Sequence, residues 1–251
     1  VLSGTQTFDF EAFVAAKFSS RVGLAARLLP QLINAVQMLN DHPQKAMLQQ
    51  CAAVLKVWDR LTEPSSKGAY LFLQWLLQQD IDDAIASPLF ADNWNFELAK
   101  DPVEHLKSLD TPNQLANPKT ALQALVQAAG VLQQQGYPLD VQWQDAVILQ
   151  HGEYAVPAVG GPGDPMGIIA AIPLKPSLRP QIKAGVLPAN RIENDGGETF
   201  VMLVEFTPEG ARGGAFLSYG NRSIYQHKNN GDQLELLAKR QLSPFFINKN
   251  K

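Results

Sequence analysis

The chain has 251 residues, 45% hydrophobic and 18% charged, a composition that suits one large or two small globular domains. Its formal net charge is −3 and it has no dense basic stripe, which argues against nucleic acid as a partner. No apolar run approaches the roughly 20 residues needed to span a bilayer.

The first half reads as helices. Thr7 is placed to cap a helix from Phe8 to about Phe18, with Asp9 and Glu11 in its first turn. Arg21–Leu39 carries Val22, Ala25, Leu29, Ile33 and Val36 at helical spacing, and Pro30 predicts a kink or a division into two helices. Pro43 suits the first turn of a helix over Gln44–Arg60, whose apolar face holds Met47, Cys51, Val54, Leu55 and Trp58. Pro64-Ser65-Ser66 is a loop. Lys67–Gln79 reads as a largely buried helix, rich in Tyr70, Leu71, Phe72 and Trp75. From Ser87 to Thr111 prolines break the pattern, and Trp94 and Phe96 are expected to pin an irregular segment to the core. Asn117 and Pro118 open a helix over Lys119–Gln135, which Gly136 closes in the left-handed conformation.

Beyond Pro138 glycines gather and apolar runs shorten to strand length. Ala146–Leu149 and Glu153–Val156 flank His151-Gly152 as a tight hairpin. Gly160–Pro165 is a loop, Gly167–Ile172 a short buried strand, and Lys175–Asp195 a proline-interrupted excursion. Thr199–Phe206 and Gly213–Tyr219, joined through Pro208-Glu209-Gly210, form a second hairpin. Thr199–Phe206 lacks alternation, which predicts a strand covered on both faces. The rest of the chain does not supply all the layers such a hairpin needs. His227–Gln233 is a polar loop and Leu234–Arg240 a short closing helix. The reading is α+β: residues 1–140 mainly helical, residues 141–251 mainly β with a closing C-terminal segment.

No constellation carries chemistry. Gly160–Pro165 lacks the Gly-Lys-Ser/Thr ending and the following helix of a phosphate loop, so it reads as a structural turn. His42, His105, His151 and His227 are not spaced as metal ligands. Asp80, Asp82 and Asp83 read as a solvated helix end, without the glycine and distal glutamate of a calcium loop. Cys51, the single cysteine, excludes an intrachain disulfide and reads as a buried, inert thiol. The Trp58, Tyr70, Phe72 and Trp75 stripe reads as core. Asn221-Arg222-Ser223 matches a glycosylation sequon of the kind that arises by chance. Val1–Gly4 lacks the n-region and h-region of a signal peptide, as a mature or processed segment also would.

Several stretches in order carry a resemblance. Asp145–Ile172 contains His151-Gly152-Glu153 and Gly160-Gly161-Pro162-Gly163; Glu198–Phe206 and Arg212–Gly220 follow; Asp232-Gln233-Leu234, Leu237 and Ser243-Pro244-Phe245 end the chain. Ser20-Arg21-Val22, Cys51–Arg60 and Gly68–Phe72 fit as well. This succession resembles the C-terminal part of the β subunit of penicillin acylases and acyl-homoserine-lactone acylases, the latter branch being closer. The resemblance implies a contribution to the four-layer αββα sandwich of N-terminal-nucleophile hydrolases, completed by other chains. It implies a self-cleaving precursor whose β subunit begins with Ser. That hydroxyl attacks the amide carbonyl, its own α-amino group acts as base, and backbone N–H and Asn donors hold the oxyanion.

Here the first residue is Val1, and Ser3 and Thr5 are not terminal. The nucleophile, the oxyanion Asn, a supporting Arg, the acyl pocket and a calcium site are therefore expected on the partner segment. No catalytic, cofactor or metal residue is assigned to this chain. Thr199–Phe206 and Gly213–Tyr219 become strands of the central sheets, and Asp232 and Gln233 tie the C-terminal loop to the body. The expected substrate is a small N-acylated molecule, and the expected location periplasmic or secreted. The alternative is a non-catalytic binding or scaffolding domain derived from the same fold; an unrelated enzyme using the histidines is a third.

Overall fold

The computed structural model describes residues 9–79, 87–94, 97, 100, 111–151, 154–161, 166–169, 192–194, 199–220, 231 and 233–248. Helix α1 spans Phe10–Lys17, and Asp9 caps it by accepting a hydrogen bond from the Ala12 amide at 2.7 Å. Thr7, the expected cap, lies outside the described residues.

Helix α2 runs unbroken from Gly23 to Gln37, without the expected division at Pro30. Pro30 removes the bond to the Ala26 carbonyl. Both residues are exposed, so water meets that carbonyl and the buried face carrying Leu28, Leu29 and Leu32 continues. Helix α3, Lys45–Val57, stops three residues earlier than expected. Trp58 turns extended and donates its indole N–H to the Leu61 carbonyl at 2.9 Å. Helix α4, Ala69–Leu77, starts after Gly68 adopts a left-handed φ of 102°. All nine of its residues are buried, as its composition predicts. Two of them satisfy their polar atoms on the next long helix: the Tyr70 hydroxyl donates to Gln135 Oε1, and the Trp75 indole to the Ala121 carbonyl, each at 2.9 Å.

That helix, α5, spans Pro118–Gln134 and is bounded as the sequence predicts. Asn117 Oδ1 accepts from the amides of Lys119 and Thr120. At its far end the Gly136 amide donates to the Gln133 carbonyl and the Tyr137 amide to the Leu132 carbonyl, with Gly136 at φ 74°. This is the Schellman arrangement, which only an unbranched backbone enters without strain. Helices α2, α3, α4 and α5 pack on one another around the largest part of the core.

The segment expected to be irregular contains strand β1, Phe90–Asp92, paired antiparallel with β2, Asn113–Leu115. Three-residue strands are too short to show alternation, so neither was expected. Trp94 is half-buried; Phe96 lies outside the described residues. Helix α6, Trp143–Ala146, leads into β3, Val147–His151, which pairs antiparallel with β4, Tyr154–Pro157, as the expected first hairpin. Strand β5, Ile192–Asn194, lies parallel to β3 inside what was expected to be an excursion. Trp143 is fully buried and bridges the halves: its amide donates to the Ser66 carbonyl and its indole to the Ala158 carbonyl.

The expected strand over Gly167–Ile172 is not formed at its described residues. Gly167 turns to φ 67° and its carbonyl accepts from the Gly23 amide at the start of α2, which ends any extended run there. Residues 170–172 lie outside the described set.

Strands β6, Phe200–Thr207, and β7, Gly210–Leu217, form the expected second hairpin in unbroken register. Strand β8, Ser243–Asn248, joins β7 on the other side and was not expected. Helix α7, Leu234–Lys239, precedes it, with Arg240 left-handed at its end. The mixture of helices and small, mainly antiparallel sheets is α+β.

Replacing Asn117 by Ala is expected to cost about 1 kcal/mol through loss of the cap, lowering the melting temperature by about 2–4 °C. Thermal denaturation followed by far-UV circular dichroism checks this, and an unchanged midpoint would refute the capping role.

Candidate functional site

Cys51 sits on the inner face of α3 with no exposure, and burial pushes its thiol up to about 11. It is the inert core thiol the sequence suggests. Trp58, Phe72 and Trp75 stack in sequence with ring centroids 5.3 Å apart, also as core. His42 accepts a hydrogen bond at Nδ1 from the Gln44 amide, and His151 lies at the end of β3 with its ring 4.6 Å from that of Tyr219. His105, His227, Asp80, Asp82, Asp83, Pro162–Pro165, the Asn221 sequon and Asp232 lie outside the described residues, as do Val1, Ser3 and Thr5. Gln233 does tie the C-terminal segment to the body: its Oε1 accepts from the Leu217 amide at 2.9 Å. Among the described residues no group of three His, Cys, Asp or Glu is placed to hold a metal ion.

One hydroxyl–carboxylate pair was not foreseen. Ser20 donates its hydroxyl to Glu63 Oε1, and Arg240 Nη2 donates to the same oxygen. In isolation such a pair suggests a nucleophile and its base. Ser20 is only 3% exposed, so no substrate reaches it, and the oxygen that would take its proton is already occupied by a guanidinium. The arrangement joins the end of α1, the loop after α3 and the end of α7. A cleft of about 610 Å³ lies between α2 and α5 and is lined by Met38, Leu39, His42, Lys119 and Leu122 among others. It presents neither a carboxylate nor a thiol.

The conspicuous surface is the β6–β7–β8 sheet. Alternation along β6 sends Val201 and Leu203 to one face, where they are buried with Phe216. Phe18, just past α1, stacks on Phe216 at 6.1 Å and anchors that face to the helices. Phe200, Met202 and Phe206 point to the opposite face, with Ile247 of β8 beside them by register. They are 55%, 51%, 85% and 63% exposed. Gly213 lies between Val204 and Phe245 in the same layer. A Cβ there would come 2.0 Å from the Leu203 carbonyl oxygen and 3.1 Å from the Phe245 ring, so glycine is required for the strands to sit this closely. The expected cover on both faces is thus met on one face only within this chain, in keeping with the expectation that the chain does not supply all the layers such a hairpin needs. Within this chain one face is covered, with Phe18 stacked on Phe216, and the other is exposed and apolar. The sequence signals for the bare face are the missing alternation in Thr199–Phe206 and the apolar run Phe245-Phe246-Ile247.

A family model described as penicillin amidase matches residues 1–251. The chain belongs to the penicillin amidase family. A curated relative, the acyl-homoserine lactone acylase PvdQ of Pseudomonas fluorescens (strain Pf0-1), is 23% identical over 228 residues. The alignment covers 89% of this chain and 26% of that relative, so the chain spans about a quarter of the relative's length. For this penicillin amidase family chain, the bare sheet and the described helices are the parts on which a function has to be built. None of its described helices is long and apolar enough to cross a membrane.

Two outcomes follow. Because the folded state favours the neutral Cys51 thiol, its contribution to stability is complete below its ordinary value of 9.0 and is lost as pH rises towards about 11. Urea unfolding at pH 8 to 11 should show the wild type losing ground to Cys51→Ala over that window; parallel curves would refute the shift. Phe206→Thr, on the bare face, should change unfolding stability by no more than about 0.5 kcal/mol while lowering self-association measured by light scattering. A collapse in stability would mean that Phe206 is packed.

Proposed function

We propose that this chain is the C-terminal part of the β subunit of a penicillin acylase-type amidase. The observation that carries the reading is the family match over every residue of a chain that spans only a quarter of its relative. The enzyme would cleave the linear amide of a small N-acylated molecule, of the acyl-homoserine lactone, penicillin or lipopeptide type, to a free acid and a free amine.

In this reading an N-terminal Ser on the remaining polypeptide is the nucleophile. Its hydroxyl proton passes to its own α-amino group, directly or through water, as the oxygen attacks the carbonyl. The amine leaves with a proton, and water then releases the acid. Asn and backbone donors on that polypeptide hold the oxyanion, and any calcium ion belongs there as well. The present chain supplies no reacting group. It supplies a helical layer and part of a sheet of the αββα sandwich, residues 1–140 and 141–251 together forming one portion of a larger acylase domain. Maturation by self-cleavage of a precursor, export to the periplasm or beyond, and quorum quenching through hydrolysis of acyl-homoserine lactones all belong to this proposal. The bare sheet face favours it over a free-standing binding domain, since an exposed apolar patch of this kind marks an interaction surface.

The test is a denaturing intact-mass spectrum of the protein purified from its source, with N-terminal sequencing of every species, followed by assay on acyl-homoserine lactones and penicillins. A companion polypeptide beginning with Ser, and release of free amine, are expected. Recovery of the chain as a monodisperse monomer that binds acylated ligands without turnover would overturn the proposal in favour of a binding domain.

A further inference from the structure

The cleft between α2 and α5 is apolar along its length and cationic at one end. Ala35, Met38 and Leu39 line it from α2, and Leu122 from α5. Met38 is 73% exposed, and an unbranched, polarizable side chain of this kind adapts to an apolar ligand. The volume of about 610 Å³ falls within the roughly 300–1,000 Å³ of small-molecule sites.

Gln31 lies at the end of the cleft nearer the start of α2. The Leu115 amide donates to its Oε1 at 2.7 Å, so the carboxamide is turned to offer its Nε2–H donors to a ligand. The same bond brings α2 beside the chain that enters α5, where Lys119 lines the cleft from the first turn. Arg27, one turn before Gln31, adds a second positive charge at this end, its guanidinium donating to the Pro112 carbonyl at 2.9 Å. Among the described residues no carboxylate is paired with Lys119, and no carboxylate lines the cleft. In a chain of net charge −3 the cleft therefore has the opposite sign, which selects an anion. From Gln31 the apolar positions Ala35, Met38 and Leu39 follow at helical spacing over about 12 Å, the rise of eight residues. That is room for an alkyl tail. One lining lysine is too little for an anionic bilayer, which is drawn to clusters of roughly four to eight basic residues.

We propose that this cleft binds a free medium-chain fatty carboxylate, its headgroup at Lys119 and Gln31 and its tail along Ala35, Met38, Leu39 and Leu122. The proposal goes beyond the acylase reading and stands without it.

The test uses the protein purified from its source, with any polypeptide that accompanies it, labelled by a decanoate analogue carrying a photoreactive diazirine in its tail. Mass mapping should find the label in residues 31–42 or 118–123. Decanoate should displace it at a concentration about tenfold lower than octanoate does, because two further methylenes are buried. Lys119→Met should weaken displacement by decanoate about tenfold and leave displacement by decanol unchanged. His42→Ala, at the other end of the cleft, should change either by less than about twofold. Lys119 and His42 are not buried, and far-UV circular dichroism checks that both variants fold. Label confined to other peptides overturns the site. Equal displacement by decanol and decanoate, or an unchanged Lys119→Met, overturns the carboxylate and leaves an unspecific apolar patch. Displacement by anionic phospholipid vesicles and not by decanoate overturns the proposal in favour of a lipid surface.

Discussion

The stacking of Phe18 on Phe216 decides which side of the C-terminal sheet faces the protein. Once that face is taken by the helices, the period of two in a strand sends every second residue of β6 to the other side. The bare face is thus a consequence of one-sided coverage and not of a polar strand; its residues are as apolar as those inside. The same geometry explains why the sheet is the least self-sufficient part of the molecule. Among the described residues it has three strands, one face stacked by Phe18 and the other face exposed.

The helical part is different in kind. Helix α4 is apolar apart from Gln74 and the Tyr70 hydroxyl, and its nine residues are buried without help from outside the chain. The Tyr70 hydroxyl and the Trp75 and Trp143 indoles, carried inside, meet main-chain or side-chain partners, whereas the buried Gln74 amide meets none. Burial accordingly moves the Tyr70 phenol well above its ordinary range, with Gln135 partly offsetting it. Glu63 then ties this stable body to the C-terminal segment through Ser20 and Arg240, two residues far from it in sequence. That pairing joins residues 177 apart, and no local pattern announces it.

What could be read in advance follows the same division. Periodicity, caps and glycine stops are local, so α4, α5 and both hairpins were legible from residues such as Asn117, Gly136 and Pro208. Elements defined by distant pairing were not: β1 and β2 are too short to alternate, β5 is fixed by β3, and β8 by β7. Pro30 misled because the cost of proline in a helix depends on whether the freed Ala26 carbonyl meets water, which sequence does not state. Gly167 misled because its turn answers to the start of α2. The inert character of Cys51 was legible, since its neighbours on the helix face are leucines. The Ser20 and Glu63 pair was not, and burial rather than chemistry disposes of it as a site.

The energetics of the bare face bear on how it is used. Fully burying an apolar side chain of this size contributes about 1.5–3 kcal/mol. Phe200, Met202, Phe206 and Ile247 are already partly covered, so closing the face adds somewhat over half of that for each, on the order of 4–8 kcal/mol together. Association costs on the order of 4–15 kcal/mol in lost freedom. Side-chain burial on this face therefore roughly balances the cost of docking without clearly exceeding it. The surplus has to come from elsewhere, and the outward N–H and C=O groups of Phe200, Met202, Val204 and Phe206 are the adjacent source, since closing that edge off from water without pairing would leave them unsatisfied at about 1–3 kcal/mol each. Covering the face and pairing the edge are separate contributions, because side chains stand out of the sheet plane while the edge N–H and C=O groups lie within it, and both are gained only where an arriving segment reaches face and edge together.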